Sequence, residues 1–191
     1  MSEGVYYKNI LPSEISGEKA VENQKETHTI SVLVENRFGV LSRVSGLFSG
    51  RGYNISSLTV HETNDPAFSK MTIVTTGDAA VIEQIHKQLN KLVEVVEVSD
   101  LTGGGFVERE ISLVKLSTPT AESRSQVLQL VEIFNGSVVS VSRDAIAVEL
   151  SGRSDRIDDF MELIRDFEVI DMARSGRVAI ARCANPATDV N

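Results

Sequence analysis

The chain has no tryptophan, one cysteine, four prolines and three histidines among its 191 residues. Each scarcity excludes something. A lone cysteine, Cys183, forms no intrachain disulfide, so a disulfide-stapled secreted scaffold is out and a reducing cytoplasm is the expected compartment. His28, His61 and His86 stand on separate stretches with no ligand spacing, and no metal site is expected. No apolar run is long enough to span a membrane. The N-terminus lacks the basic start and apolar stretch of a secretory signal, and none is expected. Acids outnumber bases 27 to 19, for a net charge of −8. Nonspecific nucleic-acid binding rests on Lys and Arg neutralising phosphates, so no nucleic-acid partner is expected.

Catalytic groupings are also missing. No nucleophile has a base beside it in sequence. Asp155, Asp158 and Asp159 suit the positive end of a helix dipole without any acid–base role. Nothing here assembles a reaction centre, and the chain reads as a non-enzyme.

What is present is a repeated pattern. Residues 1–27 are polar and aperiodic and read as an arm, with a short ordered piece around Val5–Leu11. From 28 to 102 apolar residues alternate or recur at helical spacing. Ile30, Val32 and Val34 line one face of a strand, and Val40, Leu41, Val44, Leu47 and Phe48 form the apolar stripe of a helix. Strands are expected at Ile55–Glu62, Lys70–Thr76 and Val93–Val98. A second helix is capped by Asp78 and buries Val81, Ile82, Ile85 and Leu89. Residues 103–109, opening on a triple glycine, read as a linker, with 106–110 a solvated entry to the next unit. Residues 110–183 repeat the plan: strands at Ile111–Leu116, Val138–Val141, Ala145–Leu150 and Phe167–Met172, one helix entered through Thr118-Pro119 and another capped by Ser154. Ser175-Gly176 turns into a last apolar stretch, Val178–Ala181, and residues 184–191 form a tail. The fold class is therefore α+β, two βαββαβ units in tandem, each a ferredoxin-like antiparallel sheet with helices on one face. Units of about 70 residues have small cores, so packing against each other or against a second copy is expected. An RNA-binding module shares this plan but stacks bases on aromatic residues; Ile30–Val34 and Met71–Thr75 carry none.

The stretch with functional content is Asn36–Asn54. Gly39 sits where a strand hands over to a helix whose first amides lack intrahelical partners. Such a helix start holds a carboxylate or a phosphate, and a glycine there permits close approach. Gly52 is placed to end the helix in a left-handed conformation.

The runs ISVLVENRFGVLSRVSGLFSGRGYNISSLTV, DPAFSKMTIVTTGD, IEQIHKQLNKLVEVVEVSDLT, VEREISLVKL and DMARSGRVAIAR carry a family resemblance. The first resembles an ACT domain, and together they resemble the small regulatory subunits of acetolactate synthase (acetohydroxyacid synthase). The resemblance implies a first, ACT, domain and a second ferredoxin-like one. It implies a regulatory subunit that pairs through its ACT domains as a homodimer and binds a catalytic large subunit. That partner carries thiamine diphosphate, Mg²⁺ and FAD, while this chain carries no cofactor. It implies activation of the partner and feedback by valine in branched-chain amino acid synthesis. By matching position, Asn36, Gly39 and Asn54 are the effector residues, with the backbone of Val40 and Leu41 beside them, and Ile55 is a nearby aliphatic residue placed to face the branch of valine. The residues suit a free amino acid: open amides for its carboxylate, asparagines for either charged group, aliphatic neighbours for the side chain. Which charged group each asparagine takes stays open, and so does an ACT sensor of another amino acid controlling a different enzyme.

Overall fold

The computed structural model describes residues 26–103 and 105–183. Most of the arm, with Val5–Leu11, and the tail at 184–191 lie outside them. The first half runs β1 (Glu26–Glu35), α1 (Val40–Gly50), β2 (Ile55–Glu62), β3 (Phe68–Gly77), α2 (Ala79–Leu89) and β4 (Val95–Asp100). The second runs β5 (Phe106–Ser117), α3 (Ala121–Ile133), β6 (Ser137–Val141), β7 (Ala145–Gly152), α4 (Ser154–Leu163), β8 (Val169–Arg174) and β9 (Val178–Ala181). The sheets are antiparallel with orders β2-β3-β1-β4 and β6-β7-β5-β8, so the tandem ferredoxin-like plan holds.

Register sorts the faces. Ile30 pairs with Ile73 and Val32 with Met71, and these side chains meet Val44, Phe48, Ile82, Ile85 and Leu89 from the two helices. In the second half Val114 pairs with Val148 and Leu116 with Ile146, against Val127, Val131, Ile157, Phe160 and Ile164. The helix ends follow local chemistry. Asp78 accepts from the Val81 amide at 2.8 Å, as an N-cap should. Gly52 ends α1 at φ 71°.

Several expectations need correction. Thr120, not the Thr118-Pro119 pair, caps α3, because its hydroxyl exchanges a capping box with Ser123. The cap of α4 is Arg153; Ser154 lies inside the first turn, where its hydroxyl bonds side chains from other elements. Leu41 fits the helical stripe of α1 but is almost half exposed, at the margin of the face that buries Val40, Val44 and Phe48. β1 starts at Glu26, inside the stretch read as arm, since Glu26 and Thr27 continue the ladder with Gly77 and Thr76.

The largest difference falls at 106–110. β5 begins at Phe106, only one residue beyond the triple glycine, and its first four residues pair with β9. β8 and β9 run along the same edge of β5 in the same direction, so Ser175–Arg177 is a kink in a long strand and not a reversal. The β9 end reaches the helix-free face of the first sheet. There Thr29, Thr72 and Val74 are almost wholly buried, as is Ala179 of β9.

Phe48 is fully buried in the first core and meets Tyr53 edge to face at 6.3 Å. Phe48→Ala is expected to cost about 3–5 kcal/mol in urea unfolding. A loss below about 1 kcal/mol would mean that this core closes over the cavity.

Candidate functional site

β1 ends where Asn36 donates its amide to the carbonyl of Ala67 at 2.7 Å. Its side-chain Nδ2 donates to the carbonyl of Pro66 at 3.0 Å and to Glu62 Oε2 at 3.3 Å. Both donors are used, and Oδ1 has no partner among the described residues. Arg37 turns the chain back, its amide donating to the Glu35 carbonyl at 3.0 Å. Gly39 follows at φ 86°, a conformation that carries a penalty of about 1–2 kcal/mol for a residue with a β-carbon. Space within the chain is not the constraint, since a β-carbon there would meet nothing within 4 Å.

α1 starts without a side-chain cap and without an acid in its first turn. The amide of Val40 makes one long bond, 3.4 Å to the Arg37 carbonyl, and those of Leu41 and Ser42 have no acceptor among the described residues. Donors and dipole are therefore both uncompensated, the arrangement that takes an anion. Phe38, beside Gly39, is fully exposed, and sequence periodicity had no means of marking it. Arg43 pairs with Glu94 and the Glu35 amide donates to the Glu94 carbonyl at 2.8 Å, which fixes the loop against the start of β4.

Asn54 and Ile55 lie elsewhere. The Asn54 carbonyl accepts from Thr75 Oγ1 at 2.6 Å, and its side chain is exposed without a partner among the described residues. Ile55 is half-buried against the first core. The eleven residues of α1, at about 1.5 Å each, span roughly 16 Å. One chain thus gathers Asn36, Gly39, Val40 and Leu41 at one end of the sheet and holds Asn54 and Ile55 at the other.

The histidines do not converge. His28 Nδ1 lies 3.0 Å from Asp100 Oδ2, and His61 Nδ1 lies 3.1 Å from the Glu62 carbonyl. Among the described residues no cluster of His, Cys, Asp and Glu is arranged to hold a metal, and no helix is long and apolar enough to cross a membrane.

A cleft of about 470 Å³ opens between the two halves, lined by none of the six expected site residues although it begins at Ser56 next to Ile55, and lined among others by Ser57, Glu110, Ser154, Asp158, Arg174 and Arg177. Glu110 is 5 % exposed, although its stretch read as a solvated entry. Arg174 grips it with two bonds, Nε–Oε1 at 2.7 Å and NH2–Oε2 at 2.9 Å, and reaches Asp158 at 2.8 Å. Ser154 Oγ donates to Glu110 Oε2 at 2.7 Å and accepts from Arg177 Nε at 2.7 Å. One sequence signal does point there: carrying the alternation of Ser112, Val114 and Leu116 backwards puts Glu110 and Glu108 on the buried face.

Comparison with known proteins accounts for both halves. Residues 109–183 match the family described as small subunit of acetolactate synthase, and residues 30–97 match the ACT domain of such small subunits. The chain belongs to the acetolactate synthase small-subunit family. A probable acetolactate synthase small subunit from Methanothermobacter thermautotrophicus is 47% identical over 162 residues, 85% of this chain and 96% of the relative. The isozyme 3 small subunit of Escherichia coli is 51% identical over 154 residues, 80% of this chain and 94% of the relative. The crystal structure of the Thermotoga maritima small subunit superposes with a TM-score of 0.76 at 40% identity, covering 84% of this chain and 99% of that one. Membership in the small-subunit family makes the chain a regulatory component, the partner of a catalytic large subunit, with an ACT domain in its first half.

Burial pushes the Glu110 carboxyl up, but its bonds from Arg174 and Ser154, with the charges of Arg174 and Arg177, outweigh burial and hold it below the ordinary value of 4.5. A carboxyl held low in the folded state contributes stability above its unfolded value and loses it as pH falls through the folded one. Glu110→Gln is therefore expected to be less stable than wild type at pH 7, with the gap closing as pH falls below about 4.5. Urea unfolding across pH checks this; a gap independent of pH would remove the charge from the account.

Proposed function

We propose that this small subunit senses valine at an interface between two ACT domains and passes that signal to the large subunit, which it also activates. The observation that carries the reading is the open amide end of α1 at Gly39, the length of a helix away from Asn54. β2 is an edge strand of its sheet, and an unpaired edge favours strand addition. Two copies joined by antiparallel β2 strands about a twofold axis set the start of one β2 beside the end of the other. Glu62, at that end, holds Asn36. Asn54 and Ile55 of one copy then come towards Asn36, Gly39, Val40 and Leu41 of the second, and the six residues form one site.

The chemistry suits an α-amino acid with an aliphatic side chain. The carboxylate takes the amides of Val40 and Leu41. The ammonium takes Asn36 Oδ1, the free acceptor, with the Glu62 carboxylate nearby, and Asn54 closes the other side. Leu41 and Ile55 face the isopropyl group. On this reading the catalytic work, and the thiamine diphosphate, Mg²⁺ and FAD that serve it, belong to the large subunit and this chain binds none of them. The second reading keeps the site and changes the amino acid. Calorimetry with valine, leucine, isoleucine and unrelated amino acids separates the two, and tighter binding of a ligand outside the branched-chain set favours the second.

Gly39→Asp tests the site. The new carboxylate occupies the anion's place. Two like charges about 4 Å apart repel by about 4 kcal/mol at an effective dielectric near 20, an upper bound where solvent enters. That ceiling corresponds to about a thousandfold loss of affinity. The reconstituted holoenzyme is expected to run near its normal rate and to ignore valine, with circular dichroism confirming the fold. A folded variant inhibited at the wild-type valine concentration would take Gly39 out of the site.

A further inference from the structure

The kink between β8 and β9 sits where the two halves meet, and nothing in the effector reading uses it. Gly176 is at φ 77°, and a β-carbon there would fall inside contact distance of Ser57 Oγ and lie 3.3 Å from Thr59 Cγ2. The backbone therefore needs glycine both for its conformation and for its approach to β2. Next to it, Arg177 is held at both of its backbone groups. Its amide donates to Ser57 Oγ at 3.1 Å and its carbonyl accepts from Thr59 Oγ1 at 2.8 Å. Ser57 and Thr59 are two residues apart on a strand, so both hydroxyls stand on the helix-free face and grip one residue from either side.

The side chain of the same residue faces the second half. Arg177 Nε donates to Ser154 Oγ at 2.7 Å at the start of α4, and its NH1 lies 3.5 Å from Glu108 of β5. Ser154 in turn bonds Glu110, and Glu110 bonds Arg174. One arginine thus joins the edge strand of the ACT domain by its backbone and the start of α4 by its side chain. Ser57 lies three residues after Asn54, and the pairing of β2 with β3 slips between Ile55 and Ser57. A strand irregular at that point has a soft joint between the proposed effector residues and the grip on Arg177.

We infer that Ser57, Thr59 and the Gly176-Arg177 kink form the latch through which occupancy of the ACT site reaches the second domain. The inference rests on the effector reading for its input but not for its mechanics. Movement of Ile55–Thr59 when a ligand bridges two copies shifts the Arg177 backbone, and the Arg177 side chain carries the shift to Ser154, Glu108 and α4.

The test is the double variant Ser57→Ala, Thr59→Val, which deletes both hydroxyls and keeps a strand-forming sequence. Three measurements are made on full-length small subunit: calorimetric valine binding, valine inhibition of activity reconstituted with the large subunit, and hydrogen exchange of residues 105–110 and 175–181 without ligand. The latch predicts valine affinity within about threefold of wild type. It predicts a five- to tenfold rise in the valine concentration for half inhibition, the low end of usual coupling between sites. It also predicts faster exchange in both segments. Gly176→Ala is expected to act in the same direction and more strongly, and if it does not fold the double variant decides alone. Wild-type inhibition and exchange in the double variant overturn the latch. Loss of binding equal to the loss of inhibition also overturns it, because the hydroxyls would then belong to the ligand site. If wild type itself binds no valine, the effector reading falls, and the latch stands or falls on exchange: faster exchange in the double variant supports it and unchanged exchange overturns it.

Discussion

A carboxylate buried at the seam between two sheets must be matched by charge and by donors, and Glu110 sets that requirement for this chain. Its bidentate arginine comes from the last residue of β8, its hydroxyl from the first turn of α4, and a second arginine from the kink beyond β8. Removing any one partner leaves a buried carboxylate short of compensation, which is costlier than never having built the pair. The network therefore fixes more than a local contact. It sets where β8 stops, how α4 begins and how far the β9 extension leans over the first sheet.

That lean answers a problem of size. An antiparallel sheet with helices on one face leaves the other to water or to a partner. In the first sheet the helix-free face carries Thr29, Ser31, Thr72 and Val74, small side chains that allow a strand to approach closely, and it is covered. In the second sheet the equivalent face carries Ile111 and Leu113, each almost half exposed, and nothing in the described residues covers it. The two halves repeat one plan down to the irregular pairing of an outer strand with an inner one, β4 with β1 at Leu33/Val34 and β8 with β5 at Lys115/Leu116. They differ in what lies across the open face, and that difference orders them: one half is enclosed by its sibling, while the sibling keeps an apolar face available.

Much of this was legible in the sequence because the relevant physics is local. Period-two alternation located β1 and the back of β5, an aspartate at the right place capped α2, and the glycine at 52 marked left-handed backbone. The expected span of β2, Ile55–Glu62, is the observed one, and it is an edge. What the sequence did not disclose depends on partners distant along the chain. Ser154 reads as a helix cap until Glu110, 44 residues away, claims its hydroxyl. Glu108 and Glu110 read as solvated acids until Arg174 and Arg177 arrive from the far end of the domain. Ser175-Gly176 reads as a turn, since serine and glycine favour turns, yet the ladder to β5 resumes in the same direction after it. Leu41 satisfies the helical stripe and is still almost half exposed, which its place in the apolar pattern does not disclose.

The placement of the six expected site residues follows from two lengths. α1 is long enough to cross its sheet, so the residues before it and after it cannot meet within one chain. β2 is an open edge spanning roughly 26 Å at about 3.3 Å per residue, so in the proposed dimer a second copy added antiparallel brings the separated ends together. On the proposed reading, a ligand the size of a single amino acid bridges such ends between chains and thereby strengthens the pairing of the edge strands. Ser57 and Thr59 lie within that edge strand, and their other commitment is to Arg177. The strand that a ligand tightens on one side is thus the strand that holds the second domain on the other. If the subunit senses as proposed, that shared strand is a direct physical route between the two domains.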